Sequence, residues 1–347
     1  MSMDAIVEGF AVETIDDLVF TVKGLIHPPD RVIAYVRYLH DASGNRVRGG
    51  MTYRRVYHFE EQEGIVGARY PMYHANDPVL GMNVQGVPRL RIRTVYDPRA
   101  YLVALRGRGP QDLLEEQALK LSRLLEGTTA IPRASLGVSG SLMLGLHQPA
   151  SDLDLIVYGE AAGREGHKRL RDMLGQGHGQ IRRLREAELA ALHSEHCADT
   201  PLTFDEFARL QRRKVNELRF GGRETFIRFV KLPEEVDQRY GDHRFRLLRQ
   251  ATIRARVTDD RDAIFTPCRY GVSDARFLGG SLLPELQEIV SFRGRFSDQV
   301  QVGEWAIARG RLEQVIGSKT PPYQRLVVGG RAGEYLLARD LLGDENP

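Results

Sequence analysis

Cysteine is scarce in this chain of 347 residues, where only Cys197 and Cys268 occur. Two thiols are too few for a disulfide scaffold and fit free cysteines in a reducing compartment. Also missing is any run of about 18 apolar residues able to span a bilayer. The opening Met1-Ser-Met-Asp-Ala5 lacks the basic and apolar regions of a signal peptide, so the expectation is a cytoplasmic protein with no membrane partner. Nor does one charge dominate. Lys plus Arg number 49 against 46 Asp plus Glu, which excludes a broad positive field and confines any polyanion site to a local patch.

What is present is an ordinary globular composition, 42% apolar and 27% charged, with 35 glycines and 16 prolines spread along the chain. The length exceeds what one core usually supports, about 100–150 residues. The expected organisation is α+β and multidomain: a β-rich N-terminal unit over 1–108, a central domain over 109–245, and a β-rich C-terminal barrel or sandwich over 246–347.

The coarse pattern supports that division. Leu18–Lys23 and Arg31–Tyr38 are rich in β-formers and separated by Pro28-Pro29-Asp30. Gln111–Glu126 places Leu113, Leu114, Ala118, Leu121 and Leu125 at helical spacing, with Gly127 as its expected stop. Further helices are expected near 164–174, 184–195 and 203–219, the last opening on a Thr203-Phe-Asp-Glu206 capping box. Strands are expected at Ser135–Ser139, Leu153–Tyr158, Glu224–Lys231, Thr252–Val257, Ala263–Thr266, Trp305–Ala308 and Arg325–Val328.

The chemistry is concentrated in Gly137-Val-Ser-Gly140-Ser141-Leu-Met-Leu-Gly-Leu-His-Gln-Pro-Ala-Ser151-Asp152-Leu-Asp154-Leu-Ile-Val-Tyr-Gly159. In an extended strand, residues i and i+2 share a face, so Asp152 and Asp154 project together, roughly 6.5–7 Å apart along the strand. Mg²⁺ takes one or two carboxylates plus phosphate and water, so such a pair suits a divalent cation holding a polyphosphate. Gly140 offers a backbone without a Cβ, and Ser141 a hydroxyl and an amide at the start of a short helix. Taken singly, Gly-Ser is also common turn punctuation and Asp-x-Asp a common solvated strand edge. Their succession, a glycine-serine turn ending one apolar strand and Ser-Asp-x-Asp opening the next after ten residues, is what carries chemistry.

That succession resembles the signature of the DNA polymerase β-type nucleotidyltransferase superfamily. A broader likeness, carried by Gly24–Ile33, Gly137–Ser141 with Ser151–Leu155, and Ile264–Cys268, is to a group of predicted archaeal and bacterial nucleotidyltransferases. The resemblance implies a polymerase β-like core of mixed sheet and helices flanked by the β-rich units. It implies Mg²⁺-dependent transfer of a nucleoside monophosphate from an NTP, with Mn²⁺ as a substitute ion, and pyrophosphate release. Asp152 and Asp154 would hold metal, while Gly140, Ser141 and Ser151 would lie at the nucleotide. The hydroxyl acceptor, whether RNA or another nucleic acid, protein or small molecule, is left open.

The superfamily usually adds a third carboxylate from a later strand. Glu224 is the candidate, as the one acid on its strand, although an exposed strand-start glutamate reads the same way. Phosphate needs cations, and Arg228, on the same strand face by parity, and Lys168, with Arg164, Arg169 and Arg171, are candidates. So are Arg209, Arg212, Arg213 and Lys214. The acid-free run Arg244–Arg256 carries five arginines, and its alternation of Arg254 and Arg256 with apolar residues presents a platform for a polynucleotide. Solvated helix faces account equally for the first two clusters. His193-Ser-Glu-His196-Cys197 lacks a matching second pair for zinc and reads as a helix end. A non-catalytic nucleotide- or RNA-binding protein that kept the pocket is the competing reading.

Overall fold

The computed structural model describes residues 6–129, 131–177, 179–196, 200–317 and 321–339, and Cys197 of the His-Cys cluster lies outside them. The chain divides into two compact units. The first comprises the chain up to Asp77 with Met82–Arg182 and Leu218–Tyr240, and the second comprises Pro78–Gly81, Arg183–Glu217 and the chain from Gly241. The N-terminal β-rich region and the motif-bearing region therefore share one unit instead of parting at 108. Residues 183–217 join the C-terminal strands instead of the central domain.

The larger sheet of the first unit is built from β1 (Ala11–Thr14), β2 (Leu18–Val22), β3 (Arg31–His40), β4 (Arg46–Arg48), β5 (Met51–Arg55), β6 (His74–Asp77), β7 (Met82–Pro88) and β8 (Ile92–Tyr96). Helix α1 (Phe59–Arg69) leads from β5 towards β6. The strands run β4-β5-β3-β2-β1-β8, with β7 pairing both β3 and β6. Alternation works here as period two requires. Val12, Phe20, Val32, Ala34 and Val36 pack inward with Ile6, Phe10 and Tyr73.

Helix α2 (Pro98–Arg108) starts where Asp97 Oδ1 accepts the Arg99 amide at 2.8 Å and Pro98 fills the first turn. Helix α3 (Leu113–Thr129) buries Leu114, Ala118, Leu121 and Leu125 of the expected stripe, while Leu113, at the start of the helix, is exposed. It runs through Gly127, because one exposed glycine costs a helix only about 1 kcal/mol and the buried leucines before it outweigh that.

The second sheet of this unit is mixed. It holds β9 (Leu136–Val138), β10 (Leu153–Tyr158), β11 (Ile181–Arg182), β12 (Glu217–Phe220) and β13 (Arg223–Val230), in the order β11-β12-β13-β10-β9. Strand β10 runs parallel to β13 and antiparallel to β9. Its Ile156 and Tyr158, with Val230 of β13, enter the same core as the larger sheet. The opposite face is covered by α5 (Glu160–Gln176), where Gly166 and His167 lie against Phe229.

The second unit is a closed barrel, built from β14 (His243–Asp262), β15 (Cys268–Phe277), β16 (Leu286–Ser291), β17 (Trp305–Gly317) and β18 (Tyr323–Val327). The ring closes in the order β14-β15-β16-β18-β17-β14, with β16 and β18 its parallel pair, and β19 (Tyr335–Ala338) extends β17. Helices α6 (Glu186–His196) and α7 (Phe204–Gln211) belong to the barrel's core, through Leu189, Phe207 and Leu210 packed with Ile253, Tyr270 and Leu326. The capping box forms as expected, with Glu206 N donating to Thr203 Oγ1 at 3.3 Å and Thr203 N to Glu206 Oε2 at 2.7 Å. Helix α7 ends at Gln211 instead of continuing to 219, because Lys214 is drawn inward to donate to the Arg295 carbonyl. Ala263–Thr266 is the turn between β14 and β15 instead of a strand, with Ala263 and Phe265 buried in the core.

Candidate functional site

The Gly-Ser turn and the aspartates meet at the edge of β9 and β10. Ser139 N donates to the Asp154 carbonyl at 3.0 Å, which fastens the end of β9 to the start of β10. The chain then turns at Gly140, φ +67°, into the four-residue α4 (Gly140–Met143). A Cβ on Gly140 would collide with Asp154 Oδ2. Glycine is required here by both the left-handed backbone and the neighbouring carboxylate. Asp154 itself, and not only a ligand, takes up the space that the missing side chain leaves.

Asp152 and Asp154 are each half-buried. Burial and the Asp152 charge push the Asp154 carboxyl up to about 7, against the opposing pull of Arg228, Arg37 and Arg55. Two like charges in a partly dry site repel, and a divalent cation relieves that repulsion.

Two of those arginines were missed in the sequence. Arg37 on β3 and Arg55 on β5 come from the N-terminal sheet and stack on the Tyr57 ring at 4.7 and 5.1 Å. Arg37 donates to the Val56 carbonyl at 3.4 Å, and burial with the facing Arg55 lowers its pKa. Neither has a carboxylate within ion-pair distance among the described residues. Arg55 Nε is buried without a hydrogen-bond partner. The one sequence signal is for Arg37, an arginine in the less buried phase of an otherwise buried strand, and that signal does not say which sheet the residue will face.

The excursion between the turn and the aspartates is clamped along its length. Arg46 donates to the Leu146 carbonyl and to Ser151 Oγ, both at 3.1 Å, and Arg48 donates to the Leu144 carbonyl at 3.2 Å while paired with buried Glu13 at 2.7 Å. His147 bonds Asp112 at 2.7 Å, and Gln148 donates to the Asn45 carbonyl at 2.7 Å. From β13, Arg223 donates to the carbonyls of Pro149 and Ser151 at 2.9 and 2.6 Å. Ser151, expected at the nucleotide, spends its hydroxyl inside this loop, where it also accepts the Gln148 amide at 2.9 Å. Ser141 is buried at 8% exposure.

Strand β13 registers Asp154 with Phe226 and Ile156 with Arg228. Parity therefore puts Arg228 on the aspartate face as expected, but its Nη1 is committed to Glu8 at 2.7 Å, a side chain with 0% exposure. Glu224 shares the parity but is half-exposed and pairs with Arg219 at 3.4 Å. Among the described residues no group of three His, Cys, Asp or Glu side chains could hold a metal ion. Glu224 thus does not complete a triad, and Phe226 stands where an acid beside Asp154 would be. Glu217 acts on buried Lys214, and Asp260 accepts the Val302 amide at 3.0 Å in the barrel.

Lys168 is exposed on α5, whose buried side meets Phe229 on the face of the sheet opposite Asp154. Its neighbours are helix ion pairs, Arg164 with Glu160 and Arg169 with Glu165, both at 2.6 Å. Arg212 pairs with Glu186 at 2.6 Å and Arg213 with Glu304 at 2.9 Å. Arg164 and Arg169 are answered by a glutamate four residues earlier on the same helix face, whereas Arg212 and Arg213 are answered by acids distant in the chain.

Neither protein-family models nor solved structures give a match to this chain. Among curated proteins, it is similar to an uncharacterized protein of Methanocaldococcus jannaschii, 27% identical over 329 residues, which cover 92% of this chain and 94% of the relative.

Proposed function

We propose that the first unit is a Mg²⁺-dependent nucleotidyltransferase with a polymerase β-like core, moving a nucleoside monophosphate from an NTP to a hydroxyl acceptor. One observation carries the reading: Asp154 lies against the Cβ-less Gly140 of the Gly-Ser turn while Asp152, Arg37 and Arg55 act on its charge. Asp152 and Asp154 fit a divalent ion, Mg²⁺ or Mn²⁺, as two hard oxygen donors whose mutual repulsion the ion offsets. Such an ion, when bound, neutralises phosphate charge and polarises the reacting phosphorus. Arg37 and Arg55 bind the triphosphate, since they are cations with no carboxylate among the described residues to satisfy them. The clamped loop keeps Asp152 from drifting, and fixed geometry is what an in-line displacement needs.

A second reading is favoured by Phe226 standing beside Asp154, a position where the superfamily's third acid would be useful. Without that acid the protein is a nucleotide- or RNA-binding relative with no turnover. The deciding experiment incubates the whole chain with each labelled NTP and Mg²⁺ or Mn²⁺, offering total cell RNA and protein as acceptors. Label transferred to an acceptor and lost in Asp152→Asn/Asp154→Asn supports transfer. NTP bound without transfer under every condition overturns it in favour of the binding reading.

A further inference from the structure

The barrel carries a basic face that nothing in the first unit explains. Residues paired across antiparallel strands point to the same side. The register Arg254↔Arg276 between β14 and β15, and Arg256↔Trp305 and Thr252↔Arg309 between β14 and β17, therefore collects these side chains on the outer wall, while Tyr335, opposite Arg309 on β19, packs against the core. Their alternates, Ile253, Ala255, Ala306, Ala308 and Leu336, fill the interior.

Four arginines stand on that face, and none has a carboxylate within ion-pair distance among the described residues. Arg256, Arg276 and Arg309 are exposed. Arg254 lies with its guanidinium 4.1 Å from the Trp305 ring centroid, and its Nε is buried without a hydrogen-bond partner. Trp305 is the only tryptophan in the chain and is partly exposed.

The acids nearby are occupied. Glu304 pairs with Arg213 at 2.9 Å, and Glu334 accepts from Gln250 at 3.0 Å. Asp274, turned out at φ +52°, takes the Ser273 hydroxyl at 2.9 Å.

The strip around β16 and β18, with Arg269 of β15 and the later half of β17, is different. There Glu288 pairs with Arg269, and Glu313 answers both Arg325 at 2.9 Å and Arg311 at 3.4 Å. That strip is answered by its own acids, and the patch of Arg254, Arg256, Arg276 and Arg309 is not.

We infer that the barrel is a binding site for single-stranded nucleic acid, with Arg256, Arg276 and Arg309 contacting phosphates and a base stacking at Trp305. The chemistry selects this ligand. Cations without carboxylate partners spread over adjacent strands match a repeating anion, and a partly exposed tryptophan beside them can stack on an unpaired base. A five-stranded barrel is an architecture on which such surfaces occur. The inference does not rest on nucleotidyl transfer and holds for a catalytically inert chain as well.

Trp305 is its own reporter. The whole chain is titrated with an oligouridylate of about 20 nucleotides, longer than the ~4–16 that one such barrel covers. Intrinsic fluorescence is followed as salt is varied, with the matching duplex and a heparin fragment as controls. The expected result is saturable quenching by the single strand, with at least tenfold weaker binding of the duplex and of heparin. The triple variant Arg256→Ala/Arg276→Ala/Arg309→Ala should bind at least tenfold more weakly and lower the slope of log K against log salt by about 2, from ~0.7 per single-strand phosphate. Because these are exposed residues, the variant should keep the wild-type melting temperature. Trp305→Phe, followed by anisotropy of labelled RNA, retains part of the affinity. Asp152→Asn/Asp154→Asn should bind and quench as wild type does, which separates this site from the aspartates. Binding without quenching, equal binding of heparin, an unchanged salt slope in the triple variant, or no binding at low salt would each overturn the inference.

Discussion

Asp154 and Gly140 act as a pair. Its surroundings raise the Asp154 carboxyl to about 7 in the folded chain against an ordinary value of 3.8, so between those two pH values the native state holds a proton that the unfolded chain has released. Metal-free stability should therefore be highest below pH 4 for this group and decline as pH rises towards 7. The scale is on the order of 1 kcal/mol or more, since a tenfold change in an ionisation constant is worth about 1.4 kcal/mol. Asp154→Asn should flatten that slope in urea titrations run from pH 4 to 8, and an unchanged slope would assign it to other groups. If the pair binds Mg²⁺ as proposed, the ion must displace the same proton, so affinity should climb with pH through about 7. Gly140→Ala meets two penalties, a left-handed backbone and a Cβ that collides with Asp154 Oδ2. Loss of about 1–3 kcal/mol of stability, together with loss of NTP turnover, is expected. A variant with wild-type melting and turnover would show that the turn relaxes freely.

Among the elements, the segment that leads into β3 has its own pH dependence. His27 Nδ1 accepts the Ile33 amide at 3.2 Å, which leaves Nε2 to donate to the Ile6 carbonyl at 3.0 Å. Burial drives its pKa down to about 4. The folded chain keeps this ring neutral while the unfolded chain protonates it below about 6.5, so stability from His27 is full at neutral pH and drains away as pH falls to 4. A shift of that size corresponds to roughly 3 kcal/mol at full extent. His27→Gln should be less stable at pH 7 and lose less of its remaining stability on acidification than wild type, as read by denaturant midpoints. Arg46 makes a test of a different kind. Arg46→Ala frees Ser151 Oγ and the Leu146 carbonyl, and the expected result is a drop in turnover of about tenfold from ~1.4 kcal/mol of lost positioning, with a small change in melting. A larger loss of stability than of activity would make the clamp merely structural.

Over the whole molecule, the chain forms two compact units, within the two or three domains that its length predicts but with bounds other than 1–108, 109–245 and 246–347. Leu189, Phe207 and Leu210 are shared with barrel residues, so residues 183–217 are part of that fold. A fragment beginning at Arg183 should give a cooperative thermal transition, and one beginning at Gly241 should not. Equal cooperativity in both would show that α6 and α7 are dispensable. Legibility in the sequence is uneven at this scale. Strand β10, the capping box of α7 and the Gly-Ser turn were legible because hydrogen bonds and periodicity within a few residues decide them. The partner of each cation was not, since the arginines of α5 are answered by glutamates on the same helix while Arg37 and Arg55, from the N-terminal sheet, act on the aspartates.

By itself the sequence determined the local events: a glycine that permits φ +67°, an acid on β10 with a second one just before the strand, and the β-forming runs at both ends. Only the tertiary structure decided which cations act on Asp154, that Phe226 instead of an acid lies beside it, and that four arginines share one wall of the barrel. The reason is physical. Strand parity gives each side chain one of two faces, but which charge stands opposite that face depends on strand pairing and sheet packing between residues far apart in the chain, and charge interactions act across space without regard to sequence order.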